Sequence, residues 1–304
     1  MTVSKPSVEL VQGEPASLVK TRVLLGWLSD EEAAQFLMGR GAATEEEAQR
    51  PRNRLQQARE ERQRRSPTEV TDPIVPPESR SVSQRLEAIA QRADIRASFA
   101  GMTWRPEMVD LRNVLSFQKA VATETLNDRV SSAGQLDGLF ELCLPASSAP
   151  PPQGVISDPS GKGFTMSALN PNLRHAGSNI SNAMVAPAPG MSPVPMQAIT
   201  LFVNMGGSFL QVARYKGRCF IRDGYHRAVG LLRAKIPIVP CIFIEARSFE
   251  ELSCPPGSLT YEVLYGERPP TIADFLDDGV SADGVQIAVR KVVRITVEEF
   301  IVPR

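Results

Sequence analysis

The block from Ile199 to Glu245 constrains the fold more than any other part of the chain. Ile199–Val203 reads as a strand, and Gly206-Gly207 as a turn. Phe209-Leu210-Gln211-Val212-Ala213-Arg214-Tyr215 and Arg218-Cys219-Phe220-Ile221-Arg222 flank Lys216-Gly217, the pattern of a β-hairpin. Asp223-Gly224 makes a tight turn, and a helix follows to about Ala234. Val239–Glu245 is a nearly continuous apolar run, the kind buried on both faces, with Pro237 and Pro240 at its edge or first residues. Strand, hairpin, turn, helix and buried strand together imply an α+β fold, with a small mixed sheet and helices packed on it.

The turn carries the chemistry. The chain has two histidines, and His226 sits here beside Arg227 in the first turn of the helix. Helix starts normally favour negative side chains, because their unpaired N–H groups already make that end positive. Two cationic-capable side chains next to Gly224 instead make a small site suited to phosphate or carboxylate. The plainer alternative stays open. Asp-Gly is a common turn, Arg227 could pair with a carboxylate on a neighbouring element, and His226 could be a satisfied, partly buried histidine. Tyr225 either stacks on a base or points into the core with its hydroxyl capped.

The rest of the chain divides by composition. Residues 1–80 read as an N-terminal arm, short helices and a linker. Ser29-Asp30-Glu31-Glu32 resembles a capping box, opening a helix from about 30 to 39. Thr44-Glu45-Glu46-Glu47 is a second such pattern, opening a polar stretch interrupted by Pro51. Residues 50–65 hold seven arginines against two glutamates. They read as a solvated helix with Glu/Arg pairs rather than a nucleic-acid contact, since no aromatic residue interleaves to stack on bases. Residues 81–250 form the core unit. It begins with a helix over about 82–99, with Val82, Leu86, Ile89, Ala93 and Ile95 as its apolar stripe. Met108–Leu111 reads as a short strand, and Val114–Val121 as the lead into a helix. From about 145 to 195 the core is interrupted by an irregular insertion holding ten of the 25 prolines. An insertion that long is a lid, a surface wrap or a disordered segment. Gly161-Lys162-Gly163 lacks the frame of a phosphate loop, and His175 reads as a loop residue. Residues 251–304 are a C-terminal extension, with a short helix through Ala273, Phe275 and Leu276 and one strand through Ile287, Val289, Val293, Ile295 and Val297.

Charge and cysteines narrow the function classes. Lys plus Arg and Asp plus Glu both count 34, so no chain-wide field draws in nucleic acid or an anionic membrane. No apolar run suits a secretory signal or a spanning helix. Cys143, Cys219, Cys241 and Cys254 lie far apart, which points to free thiols in the cytoplasm rather than disulfides or zinc.

The order strand, hairpin, Asp223-Gly224-Tyr225-His226-Arg227, helix, Ile236-Pro237-Ile238-Val239-Pro240, strand resembles the ParB/sulfiredoxin superfamily, from Ile199 to Ala246. The resemblance implies a G-x-x-R elbow that holds nucleotide phosphates. Gly224 would let the backbone approach a phosphate, and His226 and Arg227 would bind its oxygens. Asp223 would orient His226, accept from a sugar hydroxyl or help hold Mg²⁺. Asp223 and His226 are also the candidates for catalysis. Tyr225 stands where sulfiredoxins carry cysteine, which argues against sulfinic-acid reduction. His226-Arg227 stands closer to the family's free-serine kinases than to its partition proteins. A kinase also needs a carboxylate base, for which Glu245 and Asp110 are candidates.

Two function classes follow. One is a nucleotide- or phosphate-binding protein, taking a nucleoside triphosphate with Mg²⁺ and acting, if it is an enzyme, as a phosphotransferase or NTPase. The other is a non-enzymatic scaffold that keeps the fold and assembles with a partner or itself, through the N-terminal helices and the Pro-rich segment. Nucleic acid and membrane are not favoured as partners.

Overall fold

The structure is a computed structural model that describes residues 18–38, 45–69, 71–123, 130, 133–146, 155–157, 163–168, 173–186, 189–205, 208–255, 257–287 and 291–296. It is a mixed α+β protein. In chain order, strand β1 (Leu18–Val23) leads to α1 (Asp30–Met38) and α2 (Glu45–Arg64). The Ser29 capping box forms reciprocally: Glu32 N–H donates to Ser29 Oγ, and Ser29 N–H to the Glu32 carboxylate. Helix α2 runs on with Pro51 inside it, so the expected interruption does not occur.

Short β2 (Ile74–Val75), α3 (Arg80–Ala90), α4 (Ala93–Ser98) and β3 (Thr103–Asp110) follow. The helix expected over 82–99 is thus two helices, broken where Arg92 turns extended and sends its guanidinium to Leu144 O and Pro145 O. Its stripe of Val82, Leu86, Ile89 and Ile95 is buried as read, while Ala93 is exposed. Residues 114–119 do not lead into a helix but stay extended up to β4 (Ala120–Ala122). Leu115 is the reason: its N–H donates to Cys219 O and its carbonyl accepts from Ile221 N–H, so tertiary pairing overrides local preference.

After α5 (Leu136–Cys143), the described residues of the stretch expected to be irregular are largely strand: β5 (Val155–Ser157), β6 (Gly163–Ala168) and β7 (Leu173–Val185), which includes His175. None of the ten prolines there falls in these three strands. β8 (Val194–Met205) pairs with β7 and contains the predicted 199–203 strand, while the Gly206-Gly207 turn lies outside the described residues.

The hairpin β9 (Gln211–Tyr215) and β10 (Arg218–Asp223) turns at Lys216 (φ 47°) and Gly217 (φ 77°), both left-handed, as a tight hairpin demands. Helix α6 (Tyr225–Arg233) and β11 (Ile238–Glu245) complete the predicted block. The tail holds α7 (Tyr261–Leu264), a 3₁₀ turn at Ala273–Leu276, and two strands where one was expected, β12 (Ala282–Ile287) and β13 (Lys291–Thr296).

The principal sheet has the order β10-β9-β11-β3-β2. β11 runs parallel to β9 and antiparallel to β3. β11 is therefore central rather than an edge, and its interior positions are buried as its unbroken apolar run implies. Pro240 sits opposite Met108 of β3, before β9 joins at Ile242, so its missing N–H interrupts no described β9 pairing.

β1 lies between β12 and β4, so residues near both ends share one sheet. Val23, Leu24, Leu25 and Trp27 join Val109, Phe220, Leu231, Ile242 and Phe275 in a single core cluster.

Candidate functional site

The elbow between β10 and α6 has the geometry its residues dictate. Gly224 caps the helix at φ 97°, ψ 23°, a left-handed conformation costly for any residue with a Cβ. Space requires glycine as well: a Cβ there would lie 3.1 Å from an Arg227 terminal nitrogen and 3.3 Å from Leu210 Cα. Just before it, the β9–β10 register slips between Ile221 and Asp223. Arg222 falls in this bulge, and bulges re-aim side chains. Its guanidinium reaches Glu251 O (3.0 Å), Ser253 Oγ (2.8 Å) and Gln211 Oε1 (2.5 Å). Gln211 in turn approaches the Asp223 carboxylate at 3.4 Å.

The structure separates the predicted site residues. Tyr225 is buried; its hydroxyl donates to Ile221 O and accepts from Phe117 N–H, both at 2.9 Å. Burial drives its pKa far above the phenol range. Its ring is thus a core residue and does not offer a stacking face, the second of the two roles open to it from sequence. His226 faces solvent. Arg227, one residue on, turns the other way and is 6% exposed. Its NH1 donates to Ser208 O, to Leu142 O at 3.1 Å and, at 3.5 Å, to Cys143 O, while NH2 reaches Ser208 Oγ at 2.9 Å. Leu142 and Cys143 end α5, where unpaired carbonyls gather partial negative charge. Arg227 therefore caps α5 and ties it to the strand-to-helix elbow. The expected joint grip of His226 and Arg227 on one anion is not the arrangement present. The neighbouring Cys143 thiol is pushed up to about 12 by burial, against the pull of the Arg227 charge.

The other candidates lie elsewhere. Glu245 is two strands from β10 and pairs with Arg105 and Arg214, both at 3.2–3.3 Å. Asp110 is three strands away. It is held by Arg112, whose guanidinium bonds keep its carboxyl below the usual range. Neither stands ready as a base at the elbow. Among the described residues, no group of three His, Cys, Asp or Glu side chains could hold a metal ion. A cavity of about 50 Å³ opens at the far end of β10, between Thr68, Arg112, Asn113, Arg218 and Thr271. It has room for a water or two and not for a nucleotide, which needs several hundred Å³.

Three arginines of the basic stretch, Arg54, Arg59 and Arg65, face inward, while Arg50, Arg52 and Arg64 are exposed. Arg54 donates to Asp278 O, Ser281 O (2.7 Å) and Gly279 O (3.5 Å). Arg59 reaches Leu28 O (2.6 Å) and Asp30, and Arg65 pairs with Asp274 and Asp277. The basic stretch is a clamp onto the tail, with Arg64 near Glu60 and Glu61 at the spacing of helix surface pairs.

Sequence reasoning missed Ser208, Gln211 and Arg222. Arg222 breaks the apolar run of its strand directly before the Asp-Gly turn, which is the one local sign of a bulge. Nothing in the sequence marks Ser208 as a partner of Arg227. No protein-family model, curated protein or solved structure matches this chain. Among the described residues no helix is long and apolar enough to cross a membrane.

Proposed function

We propose that this chain is a non-enzymatic assembly protein of the cytoplasm, in which a core of ParB/sulfiredoxin type serves as a scaffold. The observation that carries this reading is the direction of Arg227. The residue that would grip a phosphate in such a fold is bonded to the carbonyls of Ser208 and Leu142 and buried. A G-x-x-R elbow then has a structural purpose: glycine makes room for the guanidinium three residues later. The hairpin–elbow–helix–strand order, with β11 parallel to β9, supports the choice of fold type, whereas the expected opening strand within β8 lies outside that sheet. Free thiols at Cys143, Cys219 and Cys241 suit a reducing compartment. The test measures assembly and ligand binding together. A stable oligomer or co-purifying partner, unchanged in His226→Ala and Asp223→Asn, with no heat on titration with millimolar ATP or CTP plus Mg²⁺, is expected. Nucleotide binding that either variant abolishes would overturn it.

A second reading keeps phosphate binding, and one observation favours it. The first turn of α6 carries no acidic residue and starts from a left-handed glycine, with His226 exposed on it. In this form His226 and the helix start, not Arg227, would meet a phosphate-bearing ligand. The same titration decides, with loss of binding in His226→Ala as its signature.

A further inference from the structure

We infer that the ribbon formed by β7 and β8 is the self-assembly arm of this protein, and that what covers it is the same ribbon of further copies of the chain. The inference rests on the assembly reading above and names its surface and partner.

Among the described residues β7 and β8 pair only with each other, so no described strand pairs with the outer edge of either. β13 contacts β7, and residues 178–182 and 194–197 of the ribbon are exposed. A two-stranded ribbon is marginal by itself in water. Here both faces carry exposed apolar side chains among uncharged polar ones such as Asn182 opposite Gln197 and Asn179 opposite Thr200. One carries the cross-strand pair Ile180 and Ile199, 66% and 68% exposed, with Met184 at 66% and Leu201 beside them. The other carries Met196 opposite Ala183, and Val185 opposite Val194. Exposed edge strands are ordinarily guarded by charges, above all lysine. From Ala176 to Ala213 the sequence contains no Asp, Glu, Lys or Arg. Pro195 blunts the β8 edge near the tip, whereas β7 has no proline along its length.

The identity of the partner follows from charge and area. An uncharged surface cannot select a charged partner by complementarity, and an open edge accepts any backbone, its own included. The chain's balanced 34 and 34 charges remove the net repulsion that would hold copies apart. Strands of 13 and 12 residues, at about 3.3 Å per residue and about 4.8 Å apart, present roughly 400 Å² on each face. A stable interface takes about 800 Å² per partner. One face alone supplies half of that, and both faces together reach it. The arm is therefore enclosed on both sides by neighbouring arms, in an assembly of several copies.

Sedimentation equilibrium of the full chain, from low to high micromolar, tests this. A mass that is a multiple of 33.2 kDa is expected. The double variant Ile180→Lys/Ile199→Lys changes only exposed side chains. Its self-association should weaken roughly 100-fold, as for unpaired charges forced into an interface. Its circular dichroism and melting should be unchanged. Should that variant misfold, replacing residues 176–203 by a short Gly-Ser turn serves instead. A wild-type monomer overturns the inference, including one that instead floats with phosphatidylcholine/phosphatidylglycerol vesicles. So does an oligomer of unchanged mass in the variants, which would leave the assembly reading standing on another surface.

Discussion

Arg227 and Gly224 act as one unit at the residue scale. The guanidinium holds the end of α5 and Ser208, and the missing Cβ makes room for it. Replacing Arg227 by Met should cost about 3 kcal/mol, because buried carbonyls lose a charged donor. Urea denaturation measures it, and an unchanged midpoint would show that the contacts are not structural. Gly224→Ala should cost about 1–2 kcal/mol from the left-handed backbone alone, with the clash against Leu210 added. Nearby, Cys143 should resist thiol reagents at pH 8 in the native state, since burial holds it protonated up to about 12. Labelling of Cys143 as fast as a free thiol, followed by mass spectrometry, would contradict that burial. The elbow's glycine and arginine were legible in the sequence as a pair. Their purpose was not, because it depends on where α5 ends, more than 80 residues earlier.

Individual elements are secured by contacts remote in sequence. Helix α2 lies along the tail through Arg54, whose guanidinium meets carbonyls of 278–281. Arg54→Ala should therefore lower stability by about 1 kcal/mol, the scale of part-buried hydrogen bonds to a charged donor, where a solvated arginine would give almost nothing. A thermal melt of the variant checks it. Elements with strong local signals were readable: the Ser29 cap, the Lys216-Gly217 hairpin and the apolar β11. Residues 114–119 were not, because their backbone bonds go to Leu24, Cys219, Ile221, Leu259, Pro270 and Ile272 and not to one another. The strands between 155 and 185 were hidden for a different reason. Their Ser, Asn, Ala and Gly residues give little contrast between faces, and the prolines between them dominate the composition. The pattern of β7 and β8 is weak because neither face is packed against the core.

Acid pH acts on the molecule as a whole. The Asp110 carboxyl lies below its ordinary value, held by the Arg112 guanidinium. A depressed folded pKa contributes stability that is full above the unfolded value, about 3.9, and is lost as pH falls through the folded one. Arg112→Gln should lower stability above about pH 4, leave it nearly unchanged at more acid pH, and so flatten this part of the acid limb of a stability–pH curve. A limb of unchanged slope would mean that the pair is not linked to folding.

The strand β1 has its partners almost a full chain length apart: Leu18 lies opposite Ile287. Synthesis delivers this strand long before its outer neighbour. The nascent polypeptide must leave that seam unzipped until the neighbour has been made, while the sticky hairpin emerges in between. Loop closure over so great a span is slow. Folding of this sheet is consequently late, and the interval before it completes is when premature pairing between growing chains is most dangerous.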